Sequence, residues 1–462
     1  NLVGGQRDAI NLAIQLPNTK AESIAWNEDQ KGIYTATYTA LLPGTGLKAQ
    51  LQMSGWANAL TSNDYSISGD AASAQIVAMQ VTTGNPDVLA NGSDRHTVNV
   101  RVEDQFGNVL PEQTVTFTVT KGAAVFANAG QSADIRTDAH GMAEVDLSST
   151  VADASTVEAK VNQSSDSKTV NFVADVSTAQ VAELVVTQDG SVADGSTANT
   201  LRVKVTDAFG NALAGQTVSV TAGNGATVAP VVTTQPDGTV EISVTSQTAG
   251  TSAVTASINN SSQSRNVTFI ADVRTAKIAD LVVIKDGSEA DGSTANTLQV
   301  RVTDAFGNAL AGQTVSVLAD NSATTAPTVI TEPDGTVEIS VTSQTAGTST
   351  VTASINSSSL SRNVTFVADV RTAQIAVLEV TQDNTVADGA TANTLQVKVT
   401  DAFGNALAGQ TVSVMADNGA TVAPTAITGP DGTVEISVTS QTAGISTVTA
   451  TINSSSQSRD VT

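Results

Sequence analysis

From Val176 to Asp272, apolar and polar residues alternate in short runs separated by turn residues, the pattern of half-buried antiparallel strands. Leu184 and Val186 mark a first strand. After the turn Ala193-Asp194-Gly195-Ser196, residues Leu201, Val203 and Val205 face one way and Arg202, Lys204 and Thr206 the other, as in a sheet with one buried face. Val218 and Val220 mark the third strand. The run from Val228 to Val232, interrupted by Pro230, reads as an edge strand, because proline has no N–H to give to a ladder. The turn Pro236-Asp237-Gly238 leads into Val240, Ile242 and Val244. Val254, Ala256 and Ile258, then Val267 and Phe269, carry two further strands joined by a polar turn from Asn259 to Ser264. Seven strands in about 97 residues predict an immunoglobulin-like β-sandwich.

The same pattern returns along the chain. The stretch from Asp207 to Val220, DAFGNALAGQTVSV, recurs unchanged at Asp304 to Val317 and Asp401 to Val414, and a looser copy runs from Asp104 to Val119. Successive aspartates are 103, 97 and 97 residues apart, the length of a complete small domain and too long for a solenoid repeat. The expected fold is therefore all-β: tandem immunoglobulin-like sandwiches at 71–175, 176–272, 273–369 and 370–462, the last with a truncated final strand, preceded by a partial, divergent one at 1–70. Each junction, such as Phe269 to Leu281, carries the last strand of one unit almost directly into the next and lacks the Gly and Pro of a flexible spacer. The units should stack into an elongated rod on the order of 150 to 200 Å long. Asn1 to Gln6 align with Asn211 to Gln216, so the first unit begins inside the organising motif, and Arg459-Asp460-Val461-Thr462 ends where other units continue with Phe-Val-Ala-Asp.

Composition narrows the function. The bias toward Val, Thr and Ser suits pleated sheets. A net charge of −23, from 21 basic and 44 acidic residues, argues against nucleic acid and against an anionic membrane as partners. Spread along a repetitive chain, that charge opposes self-association. The absence of cysteine removes disulfides, thiolate metal sites and cysteine nucleophiles. No apolar run approaches the roughly 20 residues of a membrane span, and the first residues do not form a signal peptide, so any anchoring or export segment is expected outside this chain.

Three elements together resemble the bacterial immunoglobulin-like repeats of the intimin and invasin adhesins, the inverse autotransporters. They are the Asp-x-Phe-Gly-Asn motif with its Gly-Gln-Thr-Val continuation, the Ala-Asp-Gly-Ser turns at Ala193 to Ser196 and Ala290 to Ser293, and the Asp-Gly-Thr-Val-Glu-Ile segments at Asp237, Asp334 and Asp431. The resemblance covers nearly all of residues 71–462 and, more weakly, 1–70. It implies a cell-surface adhesin and virulence protein of a Gram-negative bacterium, anchored in the outer membrane by a β-barrel outside this chain. Its tandem sandwiches would project outward toward a host cell-surface or extracellular-matrix protein or glycan. The near-identical units would be spacers, with any segment-specific contact surface in the divergent units at 1–175 or the binding left to a tip outside this chain. Two other classes remain open: an accessory repeat array of a secreted polysaccharide-degrading enzyme, and a purely structural surface-layer or fibre protein.

Candidate chemistry is sparse. Asp207, Gly210 and Asn211 and their counterparts could form a calcium site, but read better as a turn in which Asp caps, Gly supplies positive φ and Asn tolerates left-handed geometry. His96, at the place of Asn199, and His140, beside Gly141, read as exposed loop residues without a third ligand. Trp26, Trp56, Tyr34, Tyr38 and Tyr65 could form a contact platform, but read as core aromatics of a diverged sandwich. Lys204, Lys398 and Arg301 should face outward and so form no isopeptide cross-link. The Asn-x-Ser/Thr sequences at Asn260 and Asn266 read as hairpin and strand residues. No serine or threonine has a recurrent basic partner, so no enzyme activity, cofactor, metal ligand or catalytic residue is expected, and no receptor-binding residue is assigned.

Overall fold

A computed structural model describes residues 4–20 and 26–462. The second repeat sets the pattern. Its strands are β1 (Gln180–Gln188), β2 (Ser191–Val192), β3 (Asn199–Thr206), β4 (Thr217–Ala222), β5 (Thr227–Val228), β6 (Val231–Thr233), β7 (Thr239–Thr245), β8 (Gly250–Ile258) and β9 (Ser261–Ile270). They form a four-stranded sheet in the order β1-β3-β7-β5 and a five-stranded sheet in the order β2-β9-β8-β4-β6. Every pairing is antiparallel except β2 with β9, where Ser191 lies beside Phe269.

The alternation seen in the sequence fills the space between the sheets. Leu184, Leu201, Val203 and Val205 from one sheet meet Val218, Val220, Val254 and Phe269 from the other, all essentially excluded from solvent. Each such side chain contributes about 1.5–3 kcal/mol by leaving water. Phe172, Phe269 and Phe366 are among the largest fully buried side chains and occupy matching places in the first three sandwiches. The turn into β7 depends on Gly238 at φ +75°, where a Cβ would lie 2.6 Å from the Val205 carbonyl oxygen.

Four details differ from the sequence expectation. The repeat has nine strands where seven were expected, and one of the two additions is the parallel strand β2, whose two residues are too few to show a pattern. The run from Val228 to Val232 is two strands: the chain changes sheets at Pro230, so β5 and β6 each form an edge of a different sheet. Thr206 is buried where an outward position was expected, because the chain folds back beyond Asp207 and bridges Thr206 to Ala212. The turn at Asn259 shrinks to two residues, with Asn259 at φ 51° and β9 already begun at Ser261.

The first and third repeats share this topology, and the fourth has a four-stranded second sheet whose final strand, Ser455–Val461, is seven residues long. The described residues before Asp70 differ. Arg7–Ala13 is an α-helix where alignment with Gln216 expects a strand, and the strands are two to four residues long. Arg7-Asp8-Ala9 replaces the β-branched alternation of Thr217 to Val220, and Asp8 sits favourably in the first helical turn. The alignment of Asn1, Leu2 and Val3 with the motif lies outside the described residues.

Candidate functional site

The repeated stretch forms a tight turn after β3 in which one carboxylate organises the backbone. Asp207 is fully buried. Its Oδ1 accepts hydrogen bonds from the Phe209 and Asn211 amides, each at 2.9 Å. Its Oδ2 accepts from Asn211 Nδ2 at 2.8 Å and from the Asp175 amide at 3.2 Å. Gly210, at φ +91°, lets the chain close the turn. Burial pushes the Asp207 carboxyl up, but the hydrogen bonds from Asn211, Asp175 and Phe209 outweigh it and hold the group below the usual carboxylate range. Asp304 and Asp401 make the same four contacts at the same buried position. In the first repeat, Asp104 accepts from Phe106, Asn108 and Asp70 in the same way.

The fourth contact brings in the preceding repeat. Asp175 belongs to the linker and caps the short 3-10 helix Val176–Thr178 by accepting from the Ser177 amide. Its own amide then binds Asp207, and Thr178 Oγ1 accepts from the Ala208 amide at 3.1 Å. One carboxylate therefore shapes the turn inside a repeat and also receives the linker. In the two later linkers, Asp272 and Asp369 additionally pair with Arg274 and Arg371, and Arg371 also reaches Glu289. The arginine side chains are largely exposed, so these pairs add little.

Asn211 extends the connection beyond the linker. Its Nδ2 donates to the Thr150 carbonyl at 3.0 Å and its Oδ1 accepts from the Ala152 amide at 2.8 Å. Both partners lie in a loop of the preceding sandwich, braced by the Ser149 hydroxyl, which bonds both ends of Val151. Asn308 grips Gln247 and Ala249, and Asn405 grips Gln344 and Ala346, at 2.8–2.9 Å. The motif read as an internal turn is thus also a joint between repeats. The readable signal was the companion Ser-x-x-Ala segment at Ser149, Ser246 and Ser343, each 58 residues before the aspartate of the following motif.

Both Asp207 oxygens are directed at N–H donors, which would repel a cation, and among the described residues no cluster of three acidic, His or Cys side chains is placed to hold a metal. The histidines separate. His140 is exposed in its turn as expected, but His96 is buried at the start of its strand, which corrects the loop reading. Its Nε2 lies 2.9 Å from the Asn171 carbonyl, and its ring meets Phe172 edge-on at 5.0 Å. It replaces Asn199, whose Oδ1 and Nδ2 both bind backbone in the second repeat, and His96 Nδ1 has no hydrogen-bond partner.

The aromatic residues near the start are not core residues, contrary to expectation: Trp56 is exposed, and Trp26, Tyr34, Tyr38 and Tyr65 are only partly covered. Trp26 meets Tyr38 edge-on, while Tyr34 and Tyr65 use their hydroxyls to bind the Gln6 amide and the Pro17 carbonyl. They do not converge as one platform by any of these contacts. Lys398 and Arg301 are exposed, and Lys204 is half-buried on the outer face.

Comparison with known proteins matches these repeats to a family. The chain is 31% identical over 482 aligned positions to the inverse autotransporter adhesin YeeJ of Escherichia coli (strain K12), covering 99% of this chain and 20% of that protein. It therefore spans about a fifth of the length of this relative. Among solved structures, invasin, described as a bacterial integrin-binding protein, is 22% identical with a TM-score of 0.41, covering 83% of this chain and 79% of that one. The Escherichia coli adhesin FdeC is 19% identical with a TM-score of 0.40, covering 65% of this chain and all of that one. The bacterial Ig-like domain (group 1) family matches residues 78–173, 181–270, 278–367 and 375–462, and the chain belongs to it.

Proposed function

We propose that this chain is an extracellular segment of a Gram-negative outer-membrane adhesin, anchored in the outer membrane through a segment outside these residues, with its near-identical repeats acting as a spacer. The observation that carries this reading is the joint itself. The same Asp and Asn recur at a fixed position in every repeat and connect it to its predecessor, as a structure built to transmit position along its length requires. The similarity to an inverse autotransporter adhesin supports the same class. The units are taken as 1–70, 71–175, 176–272, 273–369 and 370–462. The partner is a host surface or matrix protein or glycan, and the segment is non-catalytic and touches neither nucleic acid nor membrane.

The test is deletion of one 97-residue period, residues 273–369, from the chain displayed on a bacterial surface. The spacer reading expects attachment to cells with a thick glycocalyx to fall while affinity for soluble receptor is kept. Loss of soluble affinity would move the contact surface into the deleted repeat and refute the spacer role.

A further inference from the structure

The carboxamide latch is complete at three joints and incomplete at the fourth. At Asn211, Asn308 and Asn405 it makes two hydrogen bonds to residues two apart in the preceding loop, accepting from the amides of Ala152, Ala249 and Ala346 at 2.8 Å. At the first joint, Asn108 Nδ2 reaches the Leu41 carbonyl at 3.3 Å. The residue two further on, whose amide would complete the latch, is Pro43, and proline has no N–H. The bracing serine is missing as well, since Ala40 stands where Ser149, Ser246 and Ser343 stand in the other loops. A cleft of about 820 Å³ opens at this joint, lined by Pro43, Gly44, Ile67, Asn108, Leu110 and Ala139.

We infer that the chain's joints differ in stiffness: those latched by Asn211, Asn308 and Asn405 hold their repeats in fixed relative positions, whereas the Pro43–Asn108 joint is half-latched and is where the chain bends. Relative motion is the default for domains joined by small polar contacts, so one or two hydrogen bonds decide whether a joint is held. The inference rests on joint geometry alone and stands whether or not the chain is an adhesin; loss of cell binding would not touch it.

The chain lacks cysteine, so introduced pairs can be spin-labelled without background. Leu60→Cys with Lys121→Cys spans the first joint, and Thr221→Cys with Leu318→Cys spans the Asn308 joint, all at exposed positions. Pulsed electron-spin distance measurements on the full chain should give a broader distribution across the first joint than across the Asn308 joint. Asn308→Ala should broaden the latter, with unchanged circular dichroism, and Pro43→Ala, which supplies the missing amide, should narrow the former. Equal widths at the two joints in the parent chain would overturn the inference. An unchanged width in folded Asn308→Ala, or in Pro43→Ala, would overturn it as well.

Discussion

Replacing Asp207 with Asn keeps the shape of the side chain and removes half of its accepting capacity. The carboxylate receives four N–H groups, two on each oxygen. An amide in its place presents one oxygen and one NH₂, so whichever way it turns, two donors that are at least partly buried face another donor. An orphaned buried donor costs about 1–3 kcal/mol, which puts the substitution at roughly 2–6 kcal/mol. A domain of this size is worth only about 5–10 kcal/mol and shifts in melting temperature by about 4–8 °C per kcal/mol. Differential scanning calorimetry of the full chain, with hydrogen exchange to assign transitions, should show the second repeat melting at least about 8 °C lower while the fourth keeps its transition. Asp237→Asn, in an exposed turn where one carboxylate oxygen accepts from both the Thr239 amide and hydroxyl, is the control and should move little. The pH dependence has a definite sign. Because the folded Asp207 carboxyl is held below its unfolded value, its contribution is present above about pH 4 and is lost as pH falls through the folded pKa. The difference between parent and Asp207→Asn should therefore shrink as the solution is acidified below that range. A variant that melts with the parent at neutral pH, or a difference that grows on acidification, would refute the reasoning.

Further substitutions test other parts of the sandwich. Phe366→Ala should destabilise the third repeat by about 3–5 kcal/mol, read as a lower denaturation midpoint for that repeat alone. Asn296→Ala strands the Ser288 amide and the Thr365 carbonyl, which the buried carboxamide now binds at 3.0 and 2.9 Å, and should cost about 2–4 kcal/mol by the same measurement. Melting in excess chelator should match melting in calcium, because the motif's carboxylate oxygens are already taken by N–H groups; a large drop in chelator would reinstate the metal reading.

Much of the sandwich was legible because period-two alternation states which residues face inward, and Leu201, Val203 and Val205 do so without exception. The same parity places Asn199, and therefore His96 in the first repeat, on the inward face, two residues before Leu201 and Val98. It went unread because a polar side chain beside a turn invites the assumption of exposure. What alternation cannot show is a strand of two residues, which is too short to repeat the pattern, or a run such as Val228 to Val232, whose pattern is broken where it changes sheets at a proline.

The joint was hidden for a different reason. An Asp-x-Phe-Gly-Asn turn is sufficient as local structure, so nothing in the motif itself demands a second partner, and the partner of Asn211 lies 59 residues earlier, at Ala152. The two roles fall on the same residues. Asp207 takes three of its hydrogen bonds from its own turn and one from the linker, whereas Asn211 spends Nδ2 on both Asp207 and Thr150 and gives Oδ1 to the neighbouring repeat. Substitution at Asp207 must therefore damage fold and joint together, while substitution at Asn211 removes mostly the joint and leaves the backbone donors of the turn satisfied. A motif constrained from both sides tolerates less drift than either role would impose. That is a physical reason for DAFGN to return unchanged in the second, third and fourth repeats while Pro43, on the receiving side of the first joint, departs from its counterparts.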